Sequence, residues 1–256
     1  PEMSQLLKTK KFVHTFEIGK CLVRKGSLAY DGENDRKASY FSLKDIEFGV
    51  VDAVVHLPGE GVHEGLIRFD SLQLTVVPLR AVIADSNYAL EAQSLEVNSY
   101  PANILLKGIK VTPLKSWEEV PGRKMMATIS IPEMQLNGFY FDRAIFHDQW
   151  LLNNLNIVSP SIGLEIKQSD SKPLQGIHFD PEGFFRFPPF MKTVAVNRIS
   201  VTNADADIVA HRAGGSRAYQ FGDIMLDVAR FRVDSATRAN PGSVPLFNAD
   251  DIIFSV

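Results

Sequence analysis

The sequence predicts an all-β chain: a long, curved antiparallel sheet of successive hairpins forming a half-open groove. Three observations carry this. Apolar residues recur with a period of two rather than 3.6. Turn signals recur at intervals too short for alternating helices of ordinary length. Segments 178 positions apart share the same apolar phase, as with Asp45-Ile46 and Asp223-Ile224.

The strands come in order. Ile46, Phe48 and Val50 alternate with Glu47 and Gly49. Leu72, Leu74 and Val76 do the same, followed by Ile109 and Val111, then Ile129 and Ile131. Ile162, Leu164 and Ile166 form a further run, and Ile224, Leu226 and Val228 another. Alternate residues of a strand share one face, so each run supplies one apolar stripe. Asp31-Gly32, Pro58-Gly59, Pro121-Gly122, Asn137-Gly138, Gly214-Gly215 and Pro241-Gly242 read as turns between strands. Some runs change phase by a step of three, as from Ile18 to Cys21, Val196 to Ile199 and Val228 to Phe231. The apolar face survives such a step only if the strand bulges there.

Helix is expected in under about a tenth of residues, against a usual third. Residues 4–11 could form one short turn capped by Ser4. Residues 181–191 hold four phenylalanines with Pro188 and Pro189, which neither continue a helix nor donate to a ladder, so they read as an apolar linker.

The offset of 178 recurs for Thr15 and Thr193, Cys21 and Ile199, Val23 and Val201, Phe48 and Leu226, and Val50 and Val228. A two-residue insertion then places Leu72 on Ile252 and Leu74 on Phe254. Any two hairpins align by alternation, but alternation alone does not set the position of a phase change. The division that follows is a first repeat unit over residues 1–189 and the start of a second over 190–256, continuous with it. About ten strands per unit would carry the stripe on the order of 50 Å. The abrupt beginning at Pro1 and the strand-like ending are expected of a fragment of a longer chain.

Composition excludes several classes. The net charge is -3, so no basic excess is present to drive nucleic-acid binding. No apolar run approaches the roughly 18 residues of a membrane span. The single cysteine, Cys21, rules out an internal disulfide framework and sits in an apolar phase, as a buried inert thiol would. The six histidines are scattered, with no H-x-x-x-H pair, so no metal site is expected. Asn203 to Asp207 imitates the opening of a calcium loop, but Ile208 stands where glycine belongs and Gly214 where glutamate belongs. Gly214-Gly215-Ser216 is neither a nucleophile elbow nor a phosphate loop. No catalysis and no cofactor are expected.

Three stretches carry a resemblance: residues 88–100 (YALEAQSLEVNSY), 106–114 (LKGIKVTPL) and 199–206 (ISVTNADA). Strand, Asn-Ala, strand hairpins of this kind resemble the AsmA-like and TamB-like proteins of Gram-negative bacteria, in the style of the large Bacteroidetes members. The resemblance implies a periplasmic β structure with an apolar interior. It also implies an inner-membrane anchor outside these residues, through which membrane contact would be made. The implied role is lipid transport between the inner and outer membranes, or outer-membrane biogenesis. The partners it implies are phospholipid or another acyl-chain lipid, with envelope proteins in addition and no nucleic acid. The lining expected for the acyl chains is Ile46, Phe48, Val50, Leu72, Leu74, Ile224, Leu226 and Val228. Two alternatives stay open. The apolar face could be the core of a closed two-sheet sandwich, and the chain could be a structural or adhesive β module that binds protein partners.

Overall fold

A computed structural model describes residues 15–34, 37–56, 66–68, 70–83, 87–117, 119–120, 123, 125–167, 192–212, 214–234 and 249–255. The expected turn at residues 4–11 and the linker at 181–191 lie outside them. The fold is all-β: fourteen strands join one sheet.

β1 (Thr15–Asn34) and β2 (Lys37–His56) make a hairpin with partners from Thr15 opposite His56 to Asn34 opposite Lys37. Asp31-Gly32, expected as the turn, instead lies within β1, where both residues are paired. β3 (Leu66–Arg68), β4 (Ser71–Val76) and β5 (Leu79–Ile83) follow one another along β2 in a single unbroken register. That register runs from Leu66 opposite His56, through Leu72 opposite Val50, to Ala81 opposite Phe41. They are one strand, interrupted. β6 (Tyr88–Ala92) and β7 (Ser94–Ser99) likewise form one interrupted strand along β5 and β4. β8 (Ala102–Pro113) and β9 (Met125–Asn137) come next, then β10 (Gln149–Val158) with β11 (Ser161–Lys167), both paired to β9. β12 (Thr193–Arg212) and β13 (Gly215–Asp234) form a second long hairpin, and β14 (Asp251–Ser255) closes the series. The sheet is thus ten strand paths, whose order in space is their order in the chain.

The expectation of a wholly antiparallel sheet is corrected in one place. β12 runs parallel to β10 and β11. Alternation in sequence is the same for both senses of pairing, so it could not show this. The reason lies in the count. Seven paths precede β12, an odd number, so the seventh runs in the same sense as the first. β12 runs in that sense again. Parallel neighbours need a connection of about a dozen residues or more, and residues 168–192 separate Lys167 from Thr193.

The two long hairpins agree in detail. β12 and β13 have the bounds of β1 and β2 advanced by 178. The first register breaks at Val23/Gly26 and Gly26/Leu28, the second at Val201/Ala204 and Ala204/Ala206. Positive φ occurs at Lys25, Asp45 and Asp52 and again at Asn203, Asp223 and Arg230. The repeat holds seven strand paths, not about ten, and five of them lie between the two hairpins.

These breaks belong to a seam that crosses the sheet. Lys25 and Asp45 lie on it, as do the Val77-Pro78 break between β4 and β5, Gln93 between β6 and β7, Gly108, Ser159 and Asn203. Lys44 donates its N–H to the Pro78 carbonyl at 3.3 Å, and Gln93 donates to the Lys107 carbonyl at 2.9 Å. Gly108 has φ +60°, and a Cβ there would run into Gln93. Each left-handed residue adds a half-step to the pleat, so apolar side chains stay on one face across the seam.

One helix, α1 (Phe141–His147), is present among the described residues. Alternation could not reveal seven residues at this spacing. Gly138 at φ +67° ends β9, and Asp148 at φ +57° ends the helix. Asp142 in the first turn and His147 in the last suit the helix dipole. Phe141 and Ala144 pack towards a core of Phe139, Leu152 and Val196, and the Phe139 ring meets Phe141 and Trp150 edge-on at 4.9 and 5.5 Å.

Candidate functional site

Residues directly opposite each other on neighbouring strands share a face of the sheet. Followed from strand to strand, the pairing draws one apolar row across the molecule. Val23 faces Phe48, Phe48 faces Leu74, Leu74 faces Val97, and Val97 faces Ile104. Ile104 then faces Leu136, Leu136 faces Leu155, Leu155 faces Ile199, Ile199 faces Val228, and Val228 faces Ile252. All ten paths contribute, and every residue is apolar. Two positions along, a second row runs from Val76 through Leu95, Leu106, Met134, Ile157, Val201 and Leu226 to Phe254. Beyond the seam, a third includes Leu90, Val111, Ile129, Ile162 and Ala206.

The other face is polar. Gln73, Asn98, Asn103, Asn137 and Asn154 stand opposite one another in an amide ladder that ends at Arg198. Arg198 makes a forked ion pair with Asp227, with hydrogen bonds of 2.6 and 2.8 Å. Further down, Arg80, Glu91, Lys110 and Ser130 face each other, with Arg80 3.4 Å from Glu91.

All the strands belong to one sheet, so among the described residues no second sheet lies on the apolar face. A two-sheet sandwich is not the architecture here. Burial follows from the single layer. Small branched residues sink between taller neighbours: Val50 is 5% exposed, Val97 9% and Val228 7%. The larger Phe48, Leu74, Leu95, Leu106 and Leu226 remain half-buried. At the margins Val23 is 40% exposed and Phe254 62%. Near Phe139, Leu152 and Val196 packing from α1 completes a core, against which Ile104, Leu136, Leu155 and Ile199 of the first row also pack.

The eight residues singled out from sequence fall into two groups on this face. Phe48 pairs with Leu74 and Val50 with Leu72, with Ile46 beside them on β2. Ile224, Leu226 and Val228 line β13, Ile224 being opposite Ala204 at the seam. The groups do not touch. They are joined through Val97, Ile104, Leu136, Leu155 and Ile199, which sequence reasoning did not select. Their signal was present as local alternation, but which strands are neighbours is a property of the pairing.

The structure also assembles a cluster that sequence reasoning missed. Ser216 Oγ lies 3.0 Å from His211 Nδ1, and His211 Nε2 lies 3.4 Å from Glu165 Oε2. The latter is a close approach rather than an aligned hydrogen bond. Trp117 donates its indole N–H to the same carboxylate at 3.3 Å, and Lys167 stands 4.6 Å over the Trp117 ring. His211 and Ser216 are direct partners at the β12–β13 turn, so their contact follows from register alone. The His211 and Glu165 side chains are 38% and 47% exposed, although His211 Nε2 itself is shielded from solvent and has no hydrogen-bond partner. Cys21, half-buried on β1, lies opposite Val50. Among the described residues no three of His, Cys, Asp and Glu come together as a metal ion would require. Among them too, no helix is long and apolar enough to cross a membrane.

The fold and this face define an all-β protein built on one large sheet with an apolar and a polar side. Comparison goes no further: no family model, no curated protein and no solved structure matches the chain.

Proposed function

We propose that the chain is a non-enzymatic segment that shelters lipid acyl chains on its apolar face. In this reading it works in the periplasm, moving phospholipid between the inner and outer membranes or serving outer-membrane biogenesis. The observation that carries the proposal is the row from Val23 to Ile252, apolar at every strand and overlaid by no second sheet. A contiguous apolar surface of this extent on a folded protein is a binding site by default. Each acyl methylene buried there contributes about 0.8 kcal/mol, so a lipid can be held by its tails with its headgroup in water. No polar recognition is needed, in keeping with the absence of polar residues from the row. The resemblance to AsmA-like and TamB-like proteins points the same way.

The test is retention of a fluorescent fatty acid and of copurifying phospholipid. Phe48→Asp and Leu226→Asp should stay folded and lose the ligand, because a charge on an open face reaches water. A folded Phe48→Asp protein that carries as much lipid as the parent would count against the proposal at that position. A second reading, a structural or adhesive module for protein partners, draws on β14, all five of whose residues are exposed. It predicts no lipid on either protein.

A further inference from the structure

Among the described residues β1 is an edge strand, 20 residues long. A long edge presents a row of unpaired N–H and C=O groups, which is a template for another strand. Its counterpart β12 shows what such an edge accepts. β12 has the same length, the same register breaks and the same left-handed residue, and its side away from β13 is filled along its length by β10 and β11 in parallel. On β1 the corresponding side is vacant among the described residues. The effect on side chains is direct. Val23 and Tyr30 are 40% and 54% exposed on β1, whereas their counterparts Val201 and Ile208 are half-buried beside Ile157 and Leu164.

We propose that the outer edge of β1 docks a parallel strand of the β10–β11 pattern. The partner is an extended peptide segment with apolar residues at alternate positions, stepping by three where it meets the seam. A second folded copy cannot offer this strand, because β10 and β11 are occupied on both sides by β9 and β12. The register is specified. Leu155 stands opposite Ile199 on β12, and the β1 counterpart of Ile199 is Cys21. The docked strand therefore places its Leu155-equivalent against Cys21, on the apolar side.

Cys21 is the sole cysteine, which makes the register readable. A peptide of residues 149–167 carrying Leu155→Cys is added to the whole chain in a glutathione redox buffer, beside the same peptide carrying Asn156→Cys. Paired strands bring Cα atoms within about 5 Å, inside disulfide range, but only for side chains on one face. The expected result is mixed disulfide from Leu155→Cys at least about tenfold above Asn156→Cys, suppressed by unlabelled 149–167 peptide and not by a scrambled one. Hydrogen exchange provides a readout independent of the thiol: amides of residues 15–34 should gain protection on adding the unlabelled peptide. Equal cross-linking from both positions overturns the proposal, and so does unchanged exchange across β1. Neither measurement involves lipid, so the acyl-chain reading and this one fail separately.

Discussion

Lys25 and Asn203, 178 positions apart, hold the same left-handed conformation, φ +53° in each, at the same break in their hairpins. Asparagine tolerates this region and lysine does so poorly. A β-branched residue is worse still. Lys25→Val and Asn203→Val should each cost about 1–2 kcal/mol, while Lys25→Gly should hold or raise stability. Urea midpoints of the three variants check this; a neutral Asn203→Val would show that the local geometry does not need the left-handed residue.

Gly138 is a second left-handed position, and a Cβ there would be driven into the Asn153 side chain. Asn153 accepts a hydrogen bond from the Asn197 amide at 3.1 Å, tying β10 to β12. Gly138→Ala should therefore lose about 2 kcal/mol, and more than Gly214→Ala, which meets nothing within 4 Å. Thermal melts of the pair give the comparison.

The base of the second hairpin should be acid-sensitive. The hydrogen bond from Arg232 is the largest influence on the Asp234 carboxyl; burial opposes it, and the hydrogen bond from Thr193 with the Arg232 charge leaves the carboxyl below its ordinary range. A depressed folded-state value means that the contribution is fully present above the unfolded carboxyl's value of about 3.9 and is lost as pH falls through the folded one. Asp234→Asn should be less stable near neutrality and show a shallower loss below about pH 4. Denaturation midpoints recorded between pH 7 and pH 2 would reveal it; parallel curves for parent and variant would rule the pair out as a contributor.

Position across the sheet should grade ligand loss. Leu106 stands in mid-row between Leu95 and Met134, while Phe254 is at the margin on β14. Leu106→Asp should weaken fatty-acid binding about tenfold, close to 1.4 kcal/mol, and Phe254→Asp much less. Fluorescent displacement on both variants decides it, with circular dichroism to show that each retains its strands.

Ser216 is expected to behave as an ordinary surface serine. A fluorophosphonate probe should label it no faster than other exposed serines, and Ser216→Ala should leave the labelling pattern unchanged. Selective, Ser216-dependent labelling would instead point to a nucleophilic role for Ser216 beside His211 and Glu165.

The all-β class was legible because a period of two is a local property. Runs such as Ile224, Leu226 and Val228 show it within five residues. The phase steps at Ile18/Cys21, Val196/Ile199 and Val228/Phe231 were legible for the same reason, and Asp52 and Arg230 are the left-handed residues that accompany two of them. What could not be read is what depends on neighbours. The parallel junction of β10 and β12 leaves no mark in alternation. The link from Leu74 to Val228 through five other strands exists only in the register. α1 escaped because its seven residues are shorter than two full turns of periodic signal, and its glycine and left-handed aspartate read as turn chemistry. Asp31-Gly32 misled in the opposite direction, since the pairing of a 20-residue strand overrode a local turn preference.

The first apolar row does not come back to its own level. Leaving β2 at Phe48, it reaches β13 at Val228, whereas the counterpart of Phe48 is Leu226. In seven strands, about 34 Å of sheet, it has slipped by two residues, about 7 Å. The stripe is therefore a screw thread rather than a straight track, inclined by roughly one part in five. A long flexible chain resting in that thread would be turned as it advances, and further units built to the same plan would wind the apolar stripe around a common axis.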